Sequence, residues 1–239
     1  MVKGMELKML DWDSTFFEKK IFSVQLNNDD DIEEVEFHLQ KENADLAYVF
    51  IPVSSGIAKK VADHSNIVLY DHKLTYKMML SGKDFPIVKN VEEEYSSPDN
   101  DFISLAISSG IYSRFALDTA LNHKFEEMYA LWLRNSLNKK LADKVFVMKS
   151  NDFITSFITC KIKNEIGNIG LIATHADYRG KSLGRNLINH VHNWYLQNNI
   201  KISEVVTQKS NAIACAFYEN YGFEISQEEL VYHWHLKNN

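Results

Sequence analysis

Two hydrophobic periods take turns along this chain, and each change of period marks an element. Residues 5–26, which contain LDWDSTFFEKKIFSVQL, carry apolar clusters on either side of a charged middle and predict strand, turn, strand. Ile32, Val35 and Leu39 then recur at helical spacing and predict a helix over 30–43. Leu46 to Val53 is a nearly continuous apolar run, the pattern of a buried strand. Ser54-Ser55-Gly56 opens a short helix ending near His64, and Ile67 to Leu80 reads as extended, with a polar break near Asp71.

Residues 81–100 hold two of the three prolines and a glutamate run, so a connecting segment is expected there, with Glu92-Glu93-Glu94 as a solvated helix face. A helix follows from Lys124 to about Ala142, with Phe125, Met128, Trp132, Ser136 and Leu137 at helical spacing. Val145–Lys149, Phe153–Lys161 and Ile166–Thr174 predict three successive strands, with hairpin signals at Ser150-Asn151-Asp152 and Lys163-Asn164. The third strand runs into a polar turn, His175 to Tyr178, and a loop, Arg179-Gly180-Lys181-Ser182-Leu183-Gly184. That loop opens a helix with Leu183, Leu187, Ile188, Val191, Trp194 and Tyr195 on one stripe. Beyond it, the apolar run to Thr207 predicts a strand. Ser210 or Asn211 can cap the next helix, Gly222 can end it, and Phe223 starts another strand.

The 239 residues permit one large domain or two small ones, and 45% hydrophobic with 12% aromatic content allows a real core. A net charge of −6 argues against a general nucleic-acid partner. Cys160 and Cys215 lie far apart in apolar segments, which fits buried free thiols in a reducing cytoplasm. The opening MVKGMELKML has no long apolar core of a signal peptide, and no apolar run approaches the ~20 residues of a membrane span. His233 and His235 share a strand face, but two ligands without a third make a weak zinc site, so no metal is expected.

A strand, a small-residue loop and a helix N-terminus in series form an anion site, because the first-turn N–H groups lack intrahelical partners. Gly180 and Gly184 let a ligand approach the backbone, and Arg179, Lys181 and Arg185 add positive charge. The Gly-Lys-Ser at 180–182 is not a Walker loop, since the glycine that motif needs five residues earlier is His175. The loop resembles the signature of the GCN5-related N-acetyltransferase (GNAT) family, Gln/Arg-x-x-Gly-x-Gly/Ala. Arg179 and Gly184 match, and Ser182 replaces the central glycine. A second motif of the family follows at the expected separation, in Asn211, Tyr218 and Gly222-Phe223.

The resemblance implies an α/β (α+β) fold, a mixed, mostly antiparallel sheet flanked by helices, with acetyl-CoA as co-substrate and a primary amine as acceptor. It implies that the backbone of Ile172, Ala173 and Thr174 pairs with the pantetheine amides. Gly180, Lys181, Ser182, Leu183, Gly184 and Arg185, led by Arg179, would hold the pyrophosphate. Asn211 would touch the cofactor, and Tyr218 would protonate the departing thiolate. A tyrosine suits that task, because its reference pKa of ~10 leaves it protonated near neutrality. Asp118, Glu165 and Asp177 are unranked candidates for a base.

The strand, serine turn, helix, strand order of 45–78 returns at 204–234, with Tyr76 and Tyr232 near the same point of the last strand. Residues 1–83 are therefore expected to be an accessory domain resembling a truncated, degenerate half of the fold, without cofactor, and 84–239 the acetyltransferase domain. The stretches at 10–24, 112–115 and 206–211, and a helix carrying Trp132 and Asn135, resemble a branch of the family, the TDP-fucosamine acetyltransferases and relatives. These acetylate a nucleotide-linked deoxy amino sugar in cell-surface polysaccharide synthesis. Arg114 would suit the substrate diphosphate, because a guanidinium forks two oxygens. An acceptor that is a protein N-terminus or another small amine, a catalytically silent acetyl-CoA module, and a homodimer remain compatible with the same residues.

Overall fold

A computed structural model describes residues 6–27 and 32–236. Met5, at the start of the first expected strand, and Asp30 and Asp31, at the start of the expected helix, lie outside the described residues. In chain order the elements are β1 (Glu6–Met9), α1 (Asp11–Phe17), β2 (Ile21–Gln25), α2 (Ile32–Lys41), β3 (Leu46–Pro52), α3 (Ile57–Ala62) and β4 (Ile67–Met79). Then come β5 (Glu92–Glu93), α4 (Asn100–Ser108), α5 (Arg114–Leu117), α6 (Phe125–Leu137), β6 (Lys144–Ser150), β7 (Phe153–Lys163) and β8 (Ile166–Thr174). The last are α7 (Leu183–Gln197), β9 (Ile202–Gln208), α8 (Ala212–Tyr221) and β10 (Glu224–His235). The chain divides into two compact units. One takes residues 1–74, 208–210 and 227–239; the other takes 75–207 and 211–226.

In the first unit β2 pairs antiparallel with β1 and parallel with β3, and β3 pairs antiparallel with β10, Leu230 opposite Ile51 and His235 opposite Leu46. The core gathers Val24, Val35, Leu39, Val49, Ile51, Val61 and Ile67 with Tyr232 and Trp234. His233, on the alternate face of β10, packs its ring 4.7 Å from Tyr48 and 4.8 Å from Tyr70. The expected turn after β1 is the two-turn helix α1. Trp12 stacks on Phe16 one turn later at 4.9 Å, and Glu18 ends the helix in the left-handed conformation. Two turns are too short for a periodic signal to stand out. The expected break at Asp71 is absent: β4 runs through it, and this residue is buried. Cross-strand pairs keep the following polar positions in the ladder, with His72 Nε2 2.8 Å from Glu228 and Lys73 Nζ 2.8 Å from Glu229.

In the second unit the strand order is β4-β9-β8-β7-β6-β5. β6, β7 and β8 form an antiparallel meander. Both hairpin turns place two consecutive residues at positive φ, Asn151 (49°) and Asp152 (66°), then Asn164 (52°) and Glu165 (61°). This is the twist-matched hairpin that asparagine and aspartate tolerate. Phe102, Leu105 and Ala106 of α4, with Leu133 and Leu137 of α6, cover Val145, Val147 and Phe157 of the sheet. The buried stripe of α6 runs through Met128, Leu133 and Leu137, and Trp132 is only partly buried.

The glutamate run is not a helix face. Glu92 and Glu93 form the short strand β5, opposite Val147 and Phe146 of β6. Lys144 Nζ lies 2.7 Å from Glu93, and Lys149 Nζ lies 2.8 Å from Glu94. Burial opposes ionisation of Glu94, yet hydrogen bonds from Lys149 and Ser96 pull its carboxyl down to about 2. Lysines on the neighbouring strand, invisible to a local reading, decide the conformation. Of the two thiols, Cys160 is buried, and burial raises its pKa; Cys215 is only partly buried. Among the described residues no helix is long and apolar enough to cross a membrane.

Helix α7 buries Leu187, Ile188, Val191 and Tyr195 of its expected stripe, while Leu183 and Trp194 are only partly buried. Tyr195 fits only because residue 167 lacks a side chain. A Cβ at Gly167 would sit 2.4 Å from the Tyr195 ring, whose hydroxyl is fixed by a 2.8 Å bond to the Asn168 carbonyl. A polar network ties α7 to α8. Tyr221 donates to Asn189 Oδ1 at 2.6 Å and lies 3.3 Å from His192 Nδ1. A hydroxyl has one proton, so Tyr221 accepts from a protonated Nδ1, and His192 is the neutral Nδ1–H tautomer. Its Nε2 is buried without a partner, and the ring lies beside Phe85 and Phe223.

Two outcomes are expected. Gly167→Ala should cost about 1–3 kcal/mol in urea unfolding, by overpacking against Tyr195. The cost should shrink when Tyr195→Leu is made in the same chain, and equal costs in both backgrounds would exclude this contact. Burial, with the Lys83 charge adding, lowers the His192 pKa to about 3, against about 6.5 for a free imidazole. Between those values the unfolded chain binds the extra proton, so stability should fall as pH drops from about 6.5 towards 3. His192→Gln should flatten that slope by up to about 1.4 kcal/mol per pH unit in denaturation series from pH 7.5 to 4.5. An unchanged slope would remove His192 as the linked group.

Candidate active site

The site begins where two strands part. β8 and β9 pair in parallel from Ile166 opposite Ile202 to Ile169 opposite Val205, and the register ends there. β8 continues to Thr174 and β9 to Gln208, so both strands run on past the last paired residues. On its other edge β8 stays paired with β7, Ile158 opposite Ile172, Phe157 opposite Ala173 and Ser156 opposite Thr174. A bulge interrupts that ladder between Ile158 and Cys160. Thr159 fills it, its Oγ1 accepting from the Leu171 N–H at 2.8 Å and lying 2.6 Å from where a Cβ of Gly170 would be. Ile172 and Thr174 thus offer backbone groups along the edge of β8 that β9 has left. Ala173, between Leu171 and His175 whose N–H groups both bond towards β7, faces β7 instead of the open edge expected for it.

The loop after Thr174 turns through Ala176–Tyr178 and enters α7. Gly180 has φ +75° with open space where a Cβ would stand. Ser182 sits at φ 59°, a left-handed position that costs a non-glycine residue about 1–2 kcal/mol. This explains why the family signature has glycine there. Ser182 makes no side-chain cap, and no acidic residue occupies the first turn of α7. The first-turn N–H groups are therefore open to an anion. Gly184 lies under Phe217, whose ring would be 3.3 Å from an added Cβ, with Thr174 Oγ1 at 3.9 Å.

Arg179, Lys181 and Arg185 are exposed around this turn. Arg179 Nε donates to the Thr174 carbonyl at 3.3 Å, Lys181 Nζ lies 4.7 Å over the Tyr178 ring, and Arg185 donates to the Asn220 carbonyl at 3.2 Å. The donor set, three cations and a row of free N–H groups with no side chain over Gly180, fits a pyrophosphate.

The next helix begins differently. Of the two expected caps it is Asn211 that serves, its Oδ1 accepting from the Ala214 N–H at 3.2 Å. That closes the N-terminus of α8 and leaves the Asn211 amide NH₂ for other contacts. Tyr218 is 3% exposed, with its ring 5.4 Å from Phe217, 5.7 Å from Phe223 and 5.8 Å from Tyr76. Burial, with Cys215 adding, raises its pKa, so the phenol keeps its proton. Tyr76 donates to Glu219 Oε1 at 2.7 Å. Sequence reasoning marked Tyr76 only as part of the repeat and missed Glu219 and Phe217, whose sole signal was adjacency to Tyr218.

The structure separates the remaining candidates. Arg114 opens α5, partly buried, its guanidinium 4.2 Å from the Phe115 ring. Asp118 is buried and accepts from the Ala120 N–H at 2.9 Å. Glu165 occupies the hairpin turn at the far end of β8, roughly 30 Å from Thr174 at ~3.3 Å per residue. Asp177 is exposed beside the phosphate-type loop, 3.8 Å from His175 Nδ1.

Residues 110–223 match the model of the acetyltransferase (GNAT) family. An uncharacterized N-acetyltransferase of Methanocaldococcus jannaschii is 28% identical over 116 residues, 46% of this chain and 50% of that protein. The match therefore spans half the length of that curated relative. A GCN5-related N-acetyltransferase from Sphaerobacter thermophilus superposes with a TM-score of 0.59 at 11% identity, over 98% of this chain and 77% of that one. A tandem GNAT protein from the clavulanic acid biosynthesis pathway gives 0.55 at 13% identity, over 91% and 76%. The chain has the GNAT fold, and its residues 110–223 are similar in sequence to the GNAT acetyltransferase family.

Proposed function

We propose that this protein transfers an acetyl group from acetyl-CoA to a primary amine, the acceptor being the amino group of a nucleotide-linked deoxy amino sugar. One observation carries the reading: the open edge of β8 is followed by an uncapped helix N-terminus, and Phe217, next to the buried, protonated Tyr218, packs against Gly184 in the first turn of that helix. Acetyl-CoA, when bound, supplies the thioester carbonyl that a neutral amine attacks.

The chain's own residues divide the work. Ile172 and Thr174 offer backbone donors and acceptors to the pantetheine amides, and Ala173 between them is held by β7. The N–H groups from Leu183 to Arg185 hold the pyrophosphate, aided by Arg179 and Lys181. Gly180, Ser182 and Gly184 shape that turn. Asn211 touches the cofactor through the amide NH₂ that its capping role leaves free. Tyr218 delivers a proton to the departing sulfur. Asp177, exposed beside the loop, is a better base candidate than the distant Glu165 or the turn-bound Asp118.

The acceptor assignment rests on the likeness of the 10–24 and 112–115 stretches to amino-sugar enzymes, with Arg114 reading the diphosphate. Residues 1–83 act as the accessory domain. The order β3-α3-β4 repeats that of β9-α8-β10, which supports a degenerate half-copy.

Calorimetric titration with acetyl-CoA tests the first part. Gly184→Glu puts a bulky anion where a Cβ already meets Phe217, so affinity should fall at least tenfold in a folded protein. Unchanged affinity would place the cofactor elsewhere. Single-turnover transfer to TDP- and UDP-amino sugars, to peptide N-termini and to polyamines tests the second part. Tyr218→Phe keeps the ring and removes the proton, so kcat should drop about 10²–10⁴-fold while the acetyl-CoA Kd stays within a few-fold. A wild-type chemical rate in that variant would exclude Tyr218 as the acid. Transfer to a peptide or polyamine alone would overturn the sugar assignment.

A further inference from the structure

Helix α8 is weakly anchored for an element with a catalytic assignment. Of its ten residues only Tyr218 and Tyr221 are buried, and both are tyrosines. Its position therefore depends on a few directed contacts rather than on a broad apolar stripe. On one side, Tyr221 reaches Asn189 and His192 of α7. On the other side the contacts come from β4. The Tyr76 ring lies 5.8 Å from Tyr218, and its hydroxyl donates to Glu219 Oε1 at 2.7 Å. Met78 Cε lies 3.7 Å from where a Cβ of Gly222, the helix stop, would stand.

We propose that Tyr76 is a positioning residue for Tyr218: its hydrogen bond to Glu219 clamps α8 to β4 and holds the neighbouring phenol in register with the gap between β8 and β9. Tyr76 is fully buried, whereas Glu219 is largely exposed and directs its carboxylate inward to meet the hydroxyl. A hydroxyl donating to a carboxylate is the stronger, charge-assisted kind of bond. Removing either partner leaves the other without it beside a buried ring. Glu219 follows Tyr218 directly, so movement of one moves the other. Tyr76 lies ahead of residues 110–223, the segment that matches the family model, yet belongs to the same compact unit as Tyr218 and Glu219. The inference rests on the role proposed for Tyr218.

The test uses Tyr76→Phe, Glu219→Ala, Glu219→Gln and the Tyr76→Phe/Glu219→Ala double variant of the full chain. The first readout needs no activity. In protein labelled with ¹³Cζ-tyrosine, the Tyr218 signal should shift in Tyr76→Phe and in Glu219→Ala. It should stay near its wild-type position in Glu219→Gln, which keeps an acceptor oxygen. The second readout is kinetic. Both single losses should lower kcat roughly 10–100-fold, the scale of a small misplacement of a reacting group, with KM and Kd for acetyl-CoA within about threefold. The double variant should be no worse than either single one, because one bond is removed in each case. Glu219→Gln should restore most of the rate.

An unmoved Tyr218 signal in Tyr76→Phe, or losses that multiply in the double variant, would overturn the proposal. A wild-type protein that binds no acetyl-CoA would refute the functional reading instead. The spectra would still decide whether Tyr76 positions Tyr218.

Discussion

The constraint on which the site depends is that a strand must satisfy the hydrogen bonds of both its edges. β8 does so with β7 along its length, but β9 accompanies it only as far as Ile169. The remaining edge needs water or a ligand to complete it. The parting is built in rather than frayed. Thr159 occupies the bulge in the β7–β8 ladder, and Gly170 leaves it room to do so. A bulge bends and twists its strand, which is how a sheet opens at a defined residue instead of at its end. Because the connection from Thr174 to Leu183 is short, the same bend sets the N-terminus of α7 at the mouth of the gap.

The two helices that flank this gap are fixed by different means. α7 is held by an apolar stripe and by Tyr195, which occupies the space that Gly167 leaves. α8 is held mainly by hydroxyl groups, Tyr221 on α7 and Tyr76 on Glu219. Buried polar ties are directional, so they set rotation and register as well as proximity. That suits a helix carrying Tyr218, the phenol to which we assign the proton transfer. It also concentrates risk, because one lost partner strands another polar group inside the protein. His192 shows the cost, accepting a bare Nε2 in order to serve Tyr221.

Charge works locally in this protein. The net charge is −6, yet Arg179, Lys181 and Arg185 gather on one turn, and their field is felt within a Debye length whatever the total. The opposite device appears at the edge of the second unit's sheet. There the glutamates of β5 and the segment after it meet Lys144 and Lys149 of β6. A two-residue edge strand laced with charges offers little to a passing strand from another chain.

Most of the order of elements, though not α1, β5, α4 or α5, was legible in the sequence, as were the two hairpin turns, most of the apolar stripe of α7 and the phosphate-type loop. Each rests on contacts within a few residues: side chains three or four apart on a helix, alternate positions on a strand, asparagine or glycine at a positive φ. The resemblance through Arg179, Gly184, Asn211, Tyr218 and Gly222-Phe223 was legible for the same reason, as a spacing along one chain. Only the tertiary structure decided where β8 and β9 part, which of Ser210 and Asn211 caps α8, and that Glu92–Glu94 pair across a sheet edge instead of facing solvent. It alone brought Tyr76 to Glu219. These outcomes depend on how elements distant in sequence pack, and a hydrogen bond or an ion pair depends on a distance that no local period encodes.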